Sequence, residues 1–212
     1  MEIIAAMRER RSIRAFLPDG VPDQTVTAIL DEARWAPSWG NAQDWRVFVV
    51  TGEALAKVKA GLAEAAGTEA PPAPDLPWPA AQWPDYLASR MTYRRPSPGA
   101  APAPPQRPGL ADVYGAPVLL LLASDERLSP AYSSYDAGLL TENICLAAGA
   151  HELGTCIMAM IVRYPDMLRA VVPAEGLRFV IAVALGYPDL DSDLNATKRE
   201  RADLDEIVTW VR

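Results

Sequence analysis

Cysteine and histidine are scarce in this sequence of 212 residues, which contains two cysteines and one histidine. Cys145 and Cys156 each lie among apolar residues, so we predict buried, unpaired thiols rather than a disulfide or a redox pair. With His151 as its one histidine, the chain lacks the ligands of an ordinary zinc or iron site, and we expect no bound metal. The apolar setting of His151 favours a packed helix residue over a catalytic base.

Long hydrophobic runs are also missing. No stretch of about 18 apolar residues occurs, so the sequence predicts no transmembrane helix. At the N-terminus the charges follow a short apolar run, which reverses the order of a secretory signal, so we expect a cytoplasmic protein. The formal net charge of −7 disfavours nucleic acid as a main partner.

The common motifs of nucleotide-binding and hydrolytic enzymes are absent. There is no G-x-G-x-x-G after a predicted strand and no G-x-x-x-x-G-K-S/T, so neither a Rossmann dinucleotide site nor a P-loop is encoded. There is no G-x-S-x-G either, and a lone histidine on an apolar helix argues against a Ser-His-Asp hydrolase. Redox chemistry on this chain would therefore need a bound cofactor.

Hydrophobic periodicity predicts helices that alternate with short strands. We expect helices at 24–34, 53–66, 135–153 and 164–171, and strands at 45–51, 118–123, 155–159 and 179–185. This order predicts an α+β or mixed α/β fold, in a single domain over residues 1–212. The helix at 135–153 is apolar nearly all round, so it must be covered on every side by a large core or by a second subunit.

Residues 68–108 differ in composition from the rest of the chain. More than half of the 20 prolines lie there, interspersed with Trp78, Trp83, Tyr86 and Tyr93. Because proline disrupts both helices and sheets, this segment predicts an irregular insertion in the domain.

Three polar segments could carry chemistry, and each also has an ordinary explanation. In the first, Arg8, Arg10, Arg11 and Arg14 surround Ser12 and form a positive patch in an acidic protein. Guanidinium groups suit the bidentate binding of phosphate or of a polarised carbonyl. The same cations could instead be the solvated end of the first helix, where they complement its negative dipole.

The second segment is P-S-W-G-N-A-Q-D-W at residues 37–45, between a predicted helix and a predicted strand. Small polar side chains in such a loop can hydrogen-bond a flat heterocycle. Alternatively, they serve only the backbone geometry of a turn. The third segment combines Asn195 with Lys198, Arg199 and Arg201 after the last predicted strand, and alone it is typical of a solvated tail.

Taken together, these segments resemble the nitroreductase family. The resemblance rests on R-R-S-I-R-x-F from Arg10, on A-P-S-W-x-N-x-Q-x-W from Ala36, and on the ending L-G-Y-P-D…N…R-x-R…L-D-E-I-V. The stretch from Glu142 to Met160 also resembles the family's central helix and the loop behind its flavin. The resemblance implies a nitroreductase-like fold, with a central, mostly antiparallel sheet flanked by helices, in an intertwined homodimer.

The resemblance further implies that FMN binds in the cleft between the two subunits. Residues at the family's phosphate-binding positions, or next to them, are Arg10, Arg11, Ser12, Arg199 and Arg201. The position of Arg14 faces the N1–C2=O edge of the flavin ring. A fixed guanidinium there would stabilise the negative charge that reduction places on this edge.

Two more segments match flavin contacts of the family. Pro37, Ser38, Trp39 and Asn41 match the loop that reaches the flavin from the partner subunit, with Gln43 as a weaker candidate. Met158 and Ala159 match the segment whose backbone amide approaches flavin N5. Asp44 departs from the usual proline before the tryptophan, which adds a carboxylate near the pocket mouth.

The activity implied by the resemblance is a ping-pong reaction. A nicotinamide from NADH or NADPH would give a hydride to flavin N5, and a nitroaromatic, a quinone or a similar small aromatic acceptor would then take the electrons. Two alternatives stay open from the sequence. One is a specialised FMN enzyme of the same fold, such as a reductive dehalogenase, a dehydrogenase or a flavin-fragmenting enzyme. The other is an FMN-binding protein without turnover.

Overall fold

The computed structural model describes residues 2–66, 72–78, 84, 87, 109–196 and 201–212. Most of the insertion expected at 68–108 lies outside the described residues, as does Arg199. The described part folds around a four-stranded sheet in the order β1-β2-β4-β3. The strands are β1 (Trp45–Val50), β2 (Val118–Asp125), β3 (Gly154–Ile157) and β4 (Leu177–Gly186). All neighbouring strands are antiparallel, which confirms the predicted central sheet.

Seven α-helices accompany this sheet in the described part of the chain. They are α1 (Ile3–Glu9), α2 (Asp23–Ala33), α3 (Gly52–Ala66), α4 (Pro130–Ala150), α5 (Pro165–Arg169), α6 (Asp193–Ala196) and α7 (Leu204–Ile207). Single turns of 3₁₀ helix also occur at Trp39–Asn41, Val113–Gly115 and Ile161–Arg163. The mixture of helices with an antiparallel sheet confirms the predicted α+β class.

The buried strand β2 explains the uninterrupted apolar run of the sequence between residues 118 and 123. Leu119 and Leu121 belong to the hydrophobic cluster on the α3 side of the sheet. Leu120 and Leu122 belong to the cluster on the opposite side, where α2 and α4 pack. Because successive side chains of a strand point to opposite faces, a strand covered on both faces is apolar throughout.

The long helix α4 differs from its predicted range of 135–153 at both ends. It begins earlier because Pro130 occupies its first turn, where a missing N–H costs no hydrogen bond. It ends at Ala150, where the backbone N–H of His151 caps the helix. The His151 ring lies 3.2 Å from a carboxylate oxygen of Glu32, so this histidine joins α4 to α2.

The other predicted elements agree with the structure to within a few residues at each end. The strand predicted through residue 159 ends at Ile157, because the backbone leaves the sheet there and enters the 3₁₀ turn Ile161–Arg163. Among the described residues, no helix has both the length and the hydropathy needed to cross a membrane. Cys145 and Cys156 are buried free thiols, as predicted.

Candidate functional site

The arginine-rich segment lies along the exposed edge of β3. Ser12 forms a parallel bridge with Thr155, and the Ile13 N–H donates to the Thr155 carbonyl oxygen over 2.8 Å. This close approach depends on Gly154, because a Cβ there would lie 2.6 Å from Cγ1 of Ile13. The segment Arg10–Arg14 is therefore held in an extended conformation on a rigid sheet.

Asn195 fastens the end of this segment to the C-terminal part of the chain. Its Oδ1 accepts a hydrogen bond from the Arg14 N–H over 2.7 Å. Its Nδ2 donates to the carbonyl oxygens of Ala15 and Asp189, at 2.8 and 2.7 Å. Asn195 is 3% exposed, and its hydrogen bonds position the backbone of Arg14. The sequence singled out Asn195 as part of a polar tail and of the family-like ending, but it could not show these contacts, since Arg14 and Ala15 are about 180 residues away.

The arginines of the segment differ in what they contact. Arg10 pairs through Nε with Glu142 of α4 at 3.3 Å. The Nε of Arg11 is buried and has no hydrogen-bond partner among the described residues. The Arg14 guanidinium donates a long hydrogen bond, 3.4 Å, from Nη1 to the Ser12 carbonyl oxygen. Much of the hydrogen-bonding capacity of these guanidinium groups is therefore left for an anionic ligand.

A cavity of about 150 Å³ lies beside Arg10 and Arg11, between α1, α4 and β3. Its wall includes Cys145 and Thr155. Burial raises the pKa of the Cys145 thiol to about 11, so this cysteine stays protonated at neutral pH. The described residues contain no group of three or more His, Cys, Asp or Glu side chains that could hold a metal ion.

The loop at 37–43 forms a tight turn with its own hydrogen bonds. Gly40, Asn41 and Gln43 all have positive φ, at 56°, 57° and 50°. The Gln43 N–H donates to Ser38 Oγ over 3.0 Å, so the Ser38 hydroxyl keeps its own proton for another acceptor. The Gln43 side chain donates back to the Asn41 carbonyl and side-chain oxygens, at 3.0 and 3.1 Å. Gln43 therefore supports the shape of the loop.

This loop is attached to the first half of α4. The Trp39 N–H donates to Asp136 Oδ2 over 2.9 Å, and the Ser133 hydroxyl donates to Asp44 Oδ2 over 2.5 Å. The Trp39 ring, which is largely exposed, lies 5.7 Å from the ring of Tyr132. Sequence reasoning noted Asp44 but missed Asp136 and Ser133, because nothing in a helical sequence shows which loop it contacts.

The loop and the arginine segment contact different parts of α4 within one chain. The loop contacts Ser133 and Asp136, whereas Arg10 contacts Glu142. Six residues of α-helix separate Asp136 from Glu142, which is ~9 Å along the axis. Among the described residues, no hydrogen bond or ion pair joins the two segments. Within one chain, the two parts of the predicted site are therefore anchored at different places on α4.

The two candidate backbone amides after β3, those of Met158 and Ala159, differ in their hydrogen bonds. Met158 is buried, and its N–H donates to the Ala182 carbonyl oxygen over 2.7 Å. The amide of Met158 is therefore already used by the sheet. Ala159 is exposed, and its N–H makes no backbone hydrogen bond among the described residues.

The beginning of the proline-rich segment is anchored to the core by an aspartate that sequence reasoning missed. Asp75 Oδ2 accepts hydrogen bonds from Arg169 Nη2 over 2.7 Å and from the Phe179 N–H over 2.9 Å. Nearby, the guanidinium of Arg163 lies 4.7 Å from the centre of the Trp78 ring. The described residues 72–78 therefore lie against α5, the start of β4 and the turn that follows β3.

Known proteins resemble this chain over most of its length. The Nitroreductase family model matches residues 7–187. A nitroreductase named NfnB from Mycolicibacterium smegmatis is 29% identical over 97% of this chain and 91% of its own. A nitrobenzene nitroreductase from Ectopseudomonas oleovorans is 31% identical over 97% of this chain and 95% of its own.

The fold agrees with a solved structure of the same kind. The crystal structure of the FMN-dependent nitroreductase NfnB from Mycobacterium smegmatis, in complex with NADPH, superimposes with a TM-score of 0.84 at 27% identity. The match covers 99% of this chain and 97% of the other. The arginine segment on β3, the loop on α4 and the antiparallel sheet thus occur together with a family match over most of the sequence. The chain belongs to the nitroreductase family.

Proposed function

We propose that this chain binds FMN and reduces nitroaromatic compounds with electrons from NADH or NADPH. The observation that carries the proposal is the arginine segment held along β3, in which the buried Nε of Arg11 has no hydrogen-bond partner among the residues that the structure describes. Family relatives named for nitroarene reduction support the acceptor class, and a relative's complex with NADPH supports the electron donor.

The residues on the β3 edge fit the two polar ends of FMN. We assign the phosphate to Arg10, Arg11 and Ser12, together with Arg199 and Arg201 near the end of the chain. We assign the N1–C2=O edge to Arg14, whose backbone is already fixed by Asn195. The Ala159 N–H is our candidate for the contact to N5, because the Met158 N–H is bound to Ala182.

We propose that the site is completed by a second copy of the chain in an intertwined homodimer. The outer side of α1 exposes Ile3, Ile4 and Met7, and the C-terminal segment exposes Leu204, Ile207, Val208, Trp210 and Val211. Apolar side chains gathered in this way mark an interaction surface. The partner's loop would then bring Pro37, Ser38, Trp39 and Asn41 to the flavin, which one chain alone keeps apart from its arginine segment.

When bound, FMN would supply the redox chemistry: it would accept a hydride from the nicotinamide and would give two electrons to the acceptor in a second half-reaction. The chain's own part is to bind and to orient. Arg14 places a positive charge at the edge where reduction adds negative charge. The Ser38 hydroxyl, with its proton free, can donate to a flavin oxygen. Quinones fit the same scheme as flat acceptors.

Rapid anaerobic mixing of the FMN-loaded protein with NADH and with NADPH tests this function. We expect fast loss of the visible flavin absorbance with at least one of them, and its return when nitrobenzene is added. A flavin that neither nicotinamide reduces would instead identify an FMN-binding protein without turnover. Reduction without reoxidation by nitroarenes or quinones would favour a specialised enzyme of the same fold.

A further inference from the structure

The loop at 37–43 contains one backbone conformation that its sequence does not favour. Gly40 and Asn41 tolerate positive φ, but Gln43 also has positive φ, at 50°, a conformation that such side chains rarely adopt. Such a residue persists only where its surroundings determine it. Hydrogen bonds within the loop support this shape, and contacts to the rest of the chain add to them.

Two hydrogen bonds hold the ends of the loop to one face of α4. At the start of the turn, the Trp39 N–H donates to Asp136, which is 3% exposed. At its end, immediately before β1, Asp44 accepts from the hydroxyl of Ser133, which is likewise 3% exposed. Ser133 and Asp136 are three residues apart in a helix, so they lie on the same face. Both ends of the turn are thus hydrogen-bonded to the helix α4.

The two aspartates are unusual choices for packing a loop against a helix. Oδ1 of Asp44 and Oδ1 of Asp136 are both buried and have no hydrogen-bond partner among the described residues. A buried carboxylate with an unpaired oxygen is unfavourable, and packing a loop on a helix needs only apolar or neutral side chains. Two carboxylates at this place therefore favour a role in fixing geometry over a role in stabilising the fold.

We propose that Asp136 and the Asp44–Ser133 pair are positioning residues for the loop at 37–43, which we call the flavin loop. They hold Trp39 and the residues around it in the shape in which Ser38 and Asn41 meet the FMN of the partner subunit. This inference rests on the proposed function. It predicts that disturbing either hydrogen bond weakens FMN binding and shifts the midpoint potential of the flavin, although we assign no flavin contact to either aspartate.

The test removes the acceptors and donors of these hydrogen bonds one at a time and compares the resulting variants. The variants are Asp136→Ala, Asp136→Asn, Ser133→Ala, Asp44→Ala and the double variant that combines Asp44→Ala with Ser133→Ala. Ser134→Ala is the matched control, since it removes a hydroxyl from the neighbouring position of the same helix. For each variant we would measure the FMN dissociation constant, the flavin midpoint potential, the thermal midpoint of the FMN-free protein, and kcat and KM for nitrobenzene.

We expect Asp136→Ala to raise the FMN dissociation constant about tenfold, the effect of one charge-assisted hydrogen bond. Asp136→Asn should keep the FMN dissociation constant near the wild-type value, because the amide oxygen of asparagine can still accept from the Trp39 N–H. Ser133→Ala and Asp44→Ala should each weaken binding several-fold, and the double variant should be no worse than either, since all three remove the same bond. All of these variants except Asp136→Asn should raise KM for nitrobenzene more than they lower kcat.

Two results would overturn the inference. One is a lower thermal midpoint in Asp136→Ala and Ser133→Ala, with FMN affinity and potential equal to those of Ser134→Ala, which would show a structural role only. The other is a double variant whose loss equals the sum of the single losses. If the wild-type protein itself fails to bind FMN, the proposed function fails, and that outcome is separate from both.

Discussion

The arginines of the N-terminal segment have different contacts even though they are close in sequence. Arg10 is paired with Glu142, whereas the buried Nε of Arg11 has no hydrogen-bond partner in the described part of the chain. Arg14 is distinguished by its backbone, which Asn195 and the edge of β3 hold in place. We therefore expect Arg14 to affect the chemistry of the flavin more than its retention, since we assign the phosphate to the other arginines.

Arg14→Ala should still bind FMN but with a lower two-electron reduction potential and slower reduction by NADPH. A fixed charge at a developing anion contributes about 3 kcal/mol in a dry site, and partial exposure of Arg14 reduces this by solvent screening. Arg14→Lys, which keeps the charge, should recover part of the rate. Spectroelectrochemical titration measures the potential, and a wild-type value in the alanine variant would place Arg14 away from the ring.

At the residue scale, the sequence predicted which residues could take part in the site better than it predicted what those residues contact. The resemblance pointed to Met158 and Ala159 together, and only the structure shows that the Met158 amide already belongs to the sheet. Asp136 could not be predicted as a loop anchor, because its partner is 97 residues away. Long-range hydrogen bonds leave no periodic signal in a sequence.

At the scale of elements, the strands were the most predictable part of the fold. β2 and β4 have continuous apolar runs because both faces of the sheet are covered, and their predicted positions agree with the structure. The start of α4 was misplaced because residues 130–134 are polar or small at the first turn, where capping and not periodicity determines the boundary. The proline-rich segment had no periodicity at all, so the anchor at Asp75 could not be foreseen.

Asp75→Ala should lower the stability of the protein by about 1–3 kcal/mol, because it leaves the Phe179 N–H and Arg169 without their shared acceptor. The matched control is Asp166→Ala, which removes a fully exposed carboxylate 3.6 Å from the same Arg169. Exposed ion pairs contribute little, so the control should differ from wild type by less than ~1 kcal/mol. Chemical denaturation at one protein concentration measures both, and equal losses in the two variants would refute the anchor.

At the scale of the whole molecule, one chain presents two half-sites and exposed apolar surfaces near both of its ends. The arginine segment and the flavin loop contact α4 about two turns apart, and α1 and the C-terminal segment carry exposed apolar side chains. A symmetric pair of chains would join each arginine segment to the other chain's loop and would bury these surfaces, as an isologous interface requires.

We expect a dimer in sedimentation velocity at micromolar concentration. Replacing Ile207 and Trp210 with aspartate should dissociate it, because these side chains are 64% and 76% exposed in one chain and would be buried between two. Dissociation should release FMN at the same time, since each site needs both copies. A folded, flavin-loaded monomer would contradict the shared site.

The central claim is that this chain builds an FMN site, and the FMN content of the purified protein tests it most directly. After saturation with FMN and removal of the unbound flavin, heat denaturation releases the cofactor for measurement against protein concentration. The account predicts about one FMN per chain, bound without a covalent link, and much less in a variant that lacks the guanidinium groups of both Arg10 and Arg11. A wild-type protein that retains no flavin, or a double variant that retains as much as wild type, would contradict it.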